Sequence, residues 1–265
     1  MRLLVSVADG REAAAALVGG AQIVDAKDPT RGALGPVSLP ALRDLRLVVP
    51  PAIPLSAALG DLDDAETASR AVLAVRDLAL AFVKIGFLGV ESASVVERIL
   101  AAAVAAAGGS GVVAVAYADA ERAGSLSPET ISGIAGGAGA RGVLLDTALK
   151  DGGRLPQLWN SARLSEWIAK LQAEGLMAAV GGSLEARDFP WLAELAPDVV
   201  GVRGAACEGG RTGLVVAGRV RELRNALDSV RGYAGLSPVS QSAQDASVAT
   251  VAQRQSVPAG SALAK

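Results

Sequence analysis

A single (β/α)8 barrel is the fold class this sequence predicts, on three observations. Short β-branched runs alternate with longer alanine-rich segments of helical period, and the alternation repeats eight times. The runs are apolar on both faces, as in a sheet covered outside by helices and filled inside by side chains. The chain has 265 residues, and about 250 is the usual length of such a barrel.

Taken in order, the predicted strands are Leu3 to Ala8, Gln22 to Lys27, Ile53 to Leu59, Phe82 to Phe87, Val112 to Tyr117, Gly142 to Asp146, Met177 to Val180 and Val199 to Val202. The helices between them start with recognisable chemistry. Asp63 can cap a helix beginning at Asp64, with Glu66 at the capping-box position. Ser127 precedes Pro128, the favoured first helical residue, and Asp188 opens the segment holding Trp191 and Leu195. Ile99 to Ala118 carries no charge over about the length of a membrane span. Gly108-Gly109-Ser110-Gly111 interrupts it, so it reads as an alanine-rich helix, a turn and a buried strand. Trp159 and Trp167 share helical spacing with Leu164 and Leu171, a pattern of outer-core packing rather than a ligand box. From Gly232 onward the composition turns to Ser, Gln, Ala and isolated Val, with Pro238 and Pro258 and no periodicity. The catalytic domain is therefore expected over residues 1–230, followed by a disordered tail over 231–265.

Composition removes whole classes of chemistry. There is no histidine and one cysteine, Cys207, which excludes Ser/His/Asp and Cys/His triads, His-ligated metals and an intrachain disulfide. No cofactor and no metal are implied, and Cys207 reads as a packed thiol with no histidine to activate it. Charges nearly balance at 25 basic against 27 acidic residues, with the basic ones scattered, so neither nucleic acid nor a membrane is an expected partner. The apolar run before Asp9 is too short for a signal peptide, and a cytoplasmic location is the simplest expectation. The alanine-rich outer helices could pack on their own barrel or on a second copy, which leaves a homo-oligomer open.

In such barrels catalytic groups stand at the C-terminal ends of strands and in the loops after them. Lys27 ends the second predicted strand, with Asp25 on the same face by the alternation of side chains. Lys84 lies in the fourth strand among apolar neighbours, Asp146 ends the sixth with Lys150 just past it, and Arg203 follows the eighth. A lysine in an apolar setting is costly unless paired or neutralised, and lysines so held do Schiff-base or proton-transfer chemistry. Lys27 could snorkel to solvent or act as a nucleophilic amine whose pKa is lowered by desolvation and by the Lys84 charge. Lys84 could be a buried ion pair with Asp25 or Asp146, or a general base beside the imine; either needs a carboxylate within reach. Lys150 could be a solvated loop lysine or could neutralise a substrate phosphate. Gly181-Gly182-Ser183 and Arg203-Gly204-Ala205-Ala206 come after strands seven and eight, where barrels commonly bind phosphate. Gly182, Ser183, Arg203, Gly204 and Ala205 are accordingly the candidate phosphate-binding residues, and a small sugar phosphate is the expected partner.

Several separated segments carry a family resemblance in order: Asp25-Ala26-Lys27-Asp28-Pro29, Gly32-Ala33-Leu34-Gly35, Val83-Lys84-Ile85-Gly86, Tyr117-Ala118-Asp119-Ala120, the run Leu145 to Gly152, and Val202-Arg203-Gly204-Ala205-Ala206-Cys207. Together they resemble the (5-formylfuran-3-yl)methyl phosphate synthase family of methanofuran biosynthesis, from Met1 to about Val230. The resemblance implies a barrel enzyme, a carbon–oxygen lyase acting on phosphates. Such an enzyme condenses two molecules of glyceraldehyde 3-phosphate into 4-(hydroxymethyl)-2-furancarboxaldehyde phosphate, losing phosphate and water. It further implies that Lys27 forms the Schiff base, that Lys84 accepts the proton, and that Asp25, Asp146 and Lys150 complete the charged cluster. Three other readings compete. An orotidine-phosphate-type decarboxylase would want an Asp where Thr30 stands, and would carry its array on another strand. A general class I aldolase would begin with the same imine, and a non-catalytic phosphate sensor would use the lysines only to match ligand charge.

Overall fold

The structure, a computed structural model, describes residues 1–150 and 153–234. Eight parallel strands close in sequence order into a barrel: β1 (Arg2–Val7), β2 (Ile23–Ala26), β3 (Leu55–Asp61), β4 (Phe82–Gly86), β5 (Gly111–Tyr117), β6 (Gly142–Asp146), β7 (Met177–Val180) and β8 (Val199–Val202). Closure is direct, since β8 pairs back onto β1 through Leu4 opposite Gly201 and Val5 opposite Val202. The helices α1 (Gly10–Gly19), α2 (Leu39–Val48), α3 (Ala65–Val75), α4 (Ala93–Ala106), α5 (Ala120–Ala123), α6 (Pro128–Gly137), α7 (Leu155–Leu158), α8 (Ser161–Ala173), α9 (Phe189–Leu195) and α10 (Ala217–Ala234) lie between and after the strands. A small hairpin, β9 (Cys207–Glu208) with β10 (Leu214–Val215), stands between β8 and α10.

The period-two alternation of the strands divides the apolar residues into two cores. Leu3, Val5, Val24, Leu55, Val83, Ile85, Val143, Leu145, Val180 and Val200 face outward and pack with the helices. Ile23, Ala58, Val113, Val115, Leu144, Ala179 and Val199 form the separate cluster inside the barrel. Each fully buried Val, Leu or Ile contributes about 1.5–3 kcal/mol. That alternation also decides where the polar strand residues go, because Ser6, Asp25, Ser56 and Lys84 fall on the inward parity. In register, Ser6 stands opposite Asp25 and Asp25 opposite Ser56, so three polar side chains on adjacent strands meet at one level.

The uncharged stretch from Ile99 resolves into the end of α4, a turn and β5, and no helix among the described residues is long and apolar enough to cross a membrane. Trp159 and Trp167 belong to the packing layer: both are buried, their rings 6.2 Å apart and edge to face at 86°. Ser127 caps α6 by accepting the Thr130 N–H. Two start signals shift. Asp64, not Asp63, caps α3 by accepting the Thr67 N–H, so that helix begins one residue later than predicted. Asp188 precedes α9 but does not cap it, because its carboxylate is taken by the Glu185 N–H and by Arg154. Of the predicted tail over 231–265, residues 231–234 belong instead to α10, which runs past the predicted boundary to Ala234, and residues 235–265 lie outside those described.

Candidate active site

Lys27 comes directly after β2, and its backbone N–H still donates to Val7 O at 2.9 Å, which holds the side chain on the barrel's inner face. It is 7% exposed, and its Nζ has no hydrogen-bond or ion-pair partner among the described residues. Burial pulls its pKa from 10.5 down to about 8, with Asp146 opposing the shift and Lys84 reinforcing it. Lys27 is therefore a buried, unpaired amine rather than a snorkelling one.

Lys84, 4% exposed on β4, is the opposite case. Its Nζ donates to Asp25 Oδ2 at 2.6 Å. Asp25 is fully buried and also accepts from Ser6 Oγ at 2.9 Å and from Ser56 Oγ at 2.7 Å. Three donors from three strands thus hold one carboxylate, and the two serines, which residue type alone does not single out, complete it. Their signal is the register: a serine on the inward parity of each strand flanking Asp25.

Asp146, at the end of β6, accepts from Lys150 Nζ at 3.0 Å and from the Thr147 N–H at 2.8 Å. Burial alone would raise its pKa, but the Lys150 and Lys27 charges and these hydrogen bonds outweigh burial and hold the carboxyl well below the usual range. Lys150 also donates to the Thr147 hydroxyl at 3.0 Å, so it is folded back onto the β6 loop. Asp119, just after β5, anchors that loop by accepting the Ala148 N–H at 2.7 Å and the Leu149 N–H at 3.0 Å. Asp119 belongs to one of the segments that carry the resemblance, but no role for it is legible in the sequence. Asp151 and Gly152, which close the β6-loop motif, lie outside the described residues.

Tyr117, on β5, donates to Asp61 Oδ1, which also accepts the Leu88 N–H at 3.0 Å; burial and then the Asp61 charge push its phenol well above its ordinary pKa. Gly86 leaves room for this pair, since a Cβ there would lie 2.3 Å from Asp61 Oδ1 and 2.5 Å from the Tyr117 hydroxyl.

Lys27, Lys84, Asp146 and Lys150 line one cavity of about 540 Å³ at the C-terminal mouth, together with Gly182, Ser183, Gly204 and Ala205. In the β7 loop the Gly182 and Ser183 carbonyls are occupied by the Leu155 N–H at 2.9 Å and the Arg154 Nε–H at 3.0 Å. A trans peptide points its N–H opposite its C=O, so the Ser183 and Leu184 N–H groups turn away from the β6 loop. Neither has an acceptor among the described residues, and both residues line the cavity. Gly182 at φ 88° and Ser183 at φ 57° give the loop the left-handed backbone this requires.

Arg203 corrects the sequence expectation. It lines the mouth, but all five of its N–H groups are engaged inside the protein: with Arg211 O at 3.1 Å, Ser6 O at 3.0 Å, Gly213 O at 2.9 Å and both oxygens of buried Glu12. No donor is left for a phosphate, because Glu12 supplies the counter-charge and three carbonyls take the rest. The residue that sequence reasoning missed is Arg211, in the β9–β10 turn, which lines the same cavity. Its only signal is an arginine after Gly209-Gly210 at the end of the eighth βα unit. Among the described residues no group of three or more His, Cys, Asp or Glu could hold a metal ion.

The family model of 4-HFC-P synthase matches residues 3–224. The chain belongs to that family. Among similar 4-HFC-P synthase relatives, the (5-formylfuran-3-yl)methyl phosphate synthase of Methanopyrus kandleri is 39% identical, over 85% of this chain and 98% of its own. That of Methanothermobacter thermautotrophicus is 36% identical, over 86% of this chain and 100% of its own. The Methanocaldococcus jannaschii protein of the same name is 35% identical, over 84% and 98%. Solved structures share the barrel alone. A 3-hexulose-6-phosphate synthase from Salmonella typhimurium superposes with a TM-score of 0.60 at 17% identity, covering 87% of this chain and 100% of that one. A phosphoribosyl anthranilate isomerase from Thermus thermophilus does so at 0.57 and 16%, covering 87% and 100%.

Proposed function

We propose that this chain condenses two molecules of glyceraldehyde 3-phosphate into 4-(hydroxymethyl)-2-furancarboxaldehyde phosphate, for methanofuran biosynthesis, with Lys27 as the Schiff-base residue. Atom balance requires the release of one phosphate and two molecules of water. The observation that carries the reading is the contrast between the two mouth lysines: Lys27 is buried without a partner, while Lys84 is fixed by Asp25. With a pKa of about 8, roughly a tenth of Lys27 is neutral at pH 7, far more than for an ordinary lysine. A neutral amine can add to the aldehyde carbon, and loss of water from the adduct gives the imine.

The protonated imine is the electron sink for the later steps. It acidifies the adjacent carbon, whose proton Lys84 accepts once it has passed its own to Asp25, and the resulting enamine forms the carbon–carbon bond to the second triose. Asp25 holds Lys84 in place for that transfer, and Asp146 with Lys150 sets the charge beside the amine. Elimination of phosphate, ring closure and the loss of two further molecules of water complete the product, and hydrolysis of the imine restores Lys27. The free amides of the β7 loop, with Gly204 and Ala205 after β8, suit a phosphate retained through the sequence of steps.

Borohydride reduction in the presence of glyceraldehyde 3-phosphate, with peptide mass mapping afterwards, tests the reading. It expects one covalent adduct, on Lys27, and a furan aldehyde phosphate when reductant is withheld. An unmodified protein would sink the imine mechanism, and a simple hexose phosphate product would leave a class I aldolase instead.

A further inference from the structure

Two triose phosphates bring two phosphoryl groups into one mouth, and the amide-lined loops after β7 and β8 suit only one of them. Among the described residues Arg211 and Arg219 are the lining arginines without a carboxylate partner, and of the two Arg219 is exposed while Arg211 is held by the protein. Its side chain spans from the β9–β10 turn to the loop after β2, where Nη1 donates to Pro29 O and Nη2 to Gly32 O, both at 2.6 Å. Those two bonds use two of its five N–H groups and involve no carboxylate. Among the described residues the other three have no acceptor and the guanidinium has no ion-pair partner within 4.0 Å. The side chain is half-buried, and it lines the cavity that Lys27 enters from two residues before Pro29.

The network around it is built to hold it there. Buried Glu12 grips Arg203 through both carboxylate oxygens and also accepts the Val215 N–H at 3.3 Å, fixing the far strand of the hairpin. Arg203 in turn donates to Arg211 O and Gly213 O, on either side of Thr212. One arginine is spent as scaffold, and the other is presented by it. A guanidinium with its orientation fixed by two carbonyls and three donors unspent is suited to a phosphate dianion, which accepts from a planar fork.

We propose that Arg211 binds the second substrate phosphoryl group at the β2 edge of the mouth, where its guanidinium meets the Pro29 and Gly32 carbonyls. This rests on the reading of the site as one that takes two triose phosphates. Arg203 is the positioning residue for it, acting through the hairpin backbone.

Calorimetric titration with inorganic phosphate tests the subsite without any chemistry at Lys27. The wild-type chain is expected to bind two phosphates, and R211A one, the lost site weakening by about 10- to 100-fold. Arg211→Gln, whose amide can still donate to a loop carbonyl, is expected to lose the same site, which separates lost charge from a loosened loop. Two sites of unchanged affinity in R211A, or a single wild-type site, would overturn the proposal. Borohydride capture gives the second readout. R211A should capture glyceraldehyde 3-phosphate on Lys27 as readily as the wild type, yet need about 10- to 100-fold more of it for half-maximal furan formation when reductant is withheld. A matching loss of capture would overturn the assignment of Arg211 to the second triose. Absence of any adduct in the wild type would refute the imine and leave the phosphate titration to stand alone.

Discussion

Lys84 Nζ and Asp25 Oδ2 lie 2.6 Å apart with both groups out of solvent, and this pair is the fixed point from which the rest of the mouth is arranged. A buried pair is costly to break, because removing one partner strands the other charge at about 3–5 kcal/mol. Asp25→Asn is therefore expected to destabilise the chain by about that much in denaturant unfolding. Ser56→Ala removes one of three donors to the same carboxylate and should cost about 1–3 kcal/mol. If the two substitutions cost the same, Asp25 is not the charge that Lys84 depends on.

Lys27 gives a stability prediction with a definite sign. Its amine titrates at 10.5 when unfolded and at about 8 when folded, so between those values the unfolded chain binds a proton that the folded chain does not. Stability from this group rises with pH across that window, and the penalty is at its full size, about 3 kcal/mol, below the folded pKa. Lys27→Met removes the penalty. The variant should be more stable than wild type at pH 7, with an advantage that shrinks as pH is raised from about 8 towards 10.5. A difference that does not change with pH would mean that the amine is not desolvated.

The barrel and its mouth were legible in the sequence because period and parity are read directly from residue type. All eight predicted strands occur, and the lysines and aspartates expected at the strand ends line or back a single cavity. Ser6 and Ser56 were harder to see, because a serine inside a strand has no meaning until register puts it opposite Asp25. The division of labour between Arg203 and Arg211 was not legible at all. It depends on Glu12, far upstream of both, folding into the same place, and nothing local distinguishes a spent guanidinium from a free one.

Asp146 and Lys150 should tune Lys27 in opposite directions. Asp146 raises the pKa of that amine and Lys150 lowers it. Asp146→Asn is expected to move the Lys27 titration below its wild-type position near 8, and Lys150→Met to move it above. Carbon NMR of the Lys27 Cε resonance, assigned by its loss in Lys27→Arg, reads both shifts. Movement in the same direction in both variants would show that substitution had rearranged the loop rather than the charge.

Asp119 decides whether Lys150 is where that tuning needs it. Its two oxygens accept the Ala148 and Leu149 N–H groups, so one carboxylate pins the backbone just before Lys150. Asp119→Ala leaves both N–H groups unpaired, at a cost of about 1–3 kcal/mol each where water cannot replace the acceptor. Lost stability alone would fit any buried carboxylate. The discriminating readout is again the Lys27 amine, which is distant from Asp119 in sequence and not among its bonded partners. If Asp119 positions Lys150, its removal frees the loop, weakens the Lys150 contribution and raises the Lys27 titration in the direction of Lys150→Met. Asp119→Asn keeps one acceptor oxygen and should fall between. A chain that is less stable yet titrates as wild type at Lys27 would reduce Asp119 to a structural anchor.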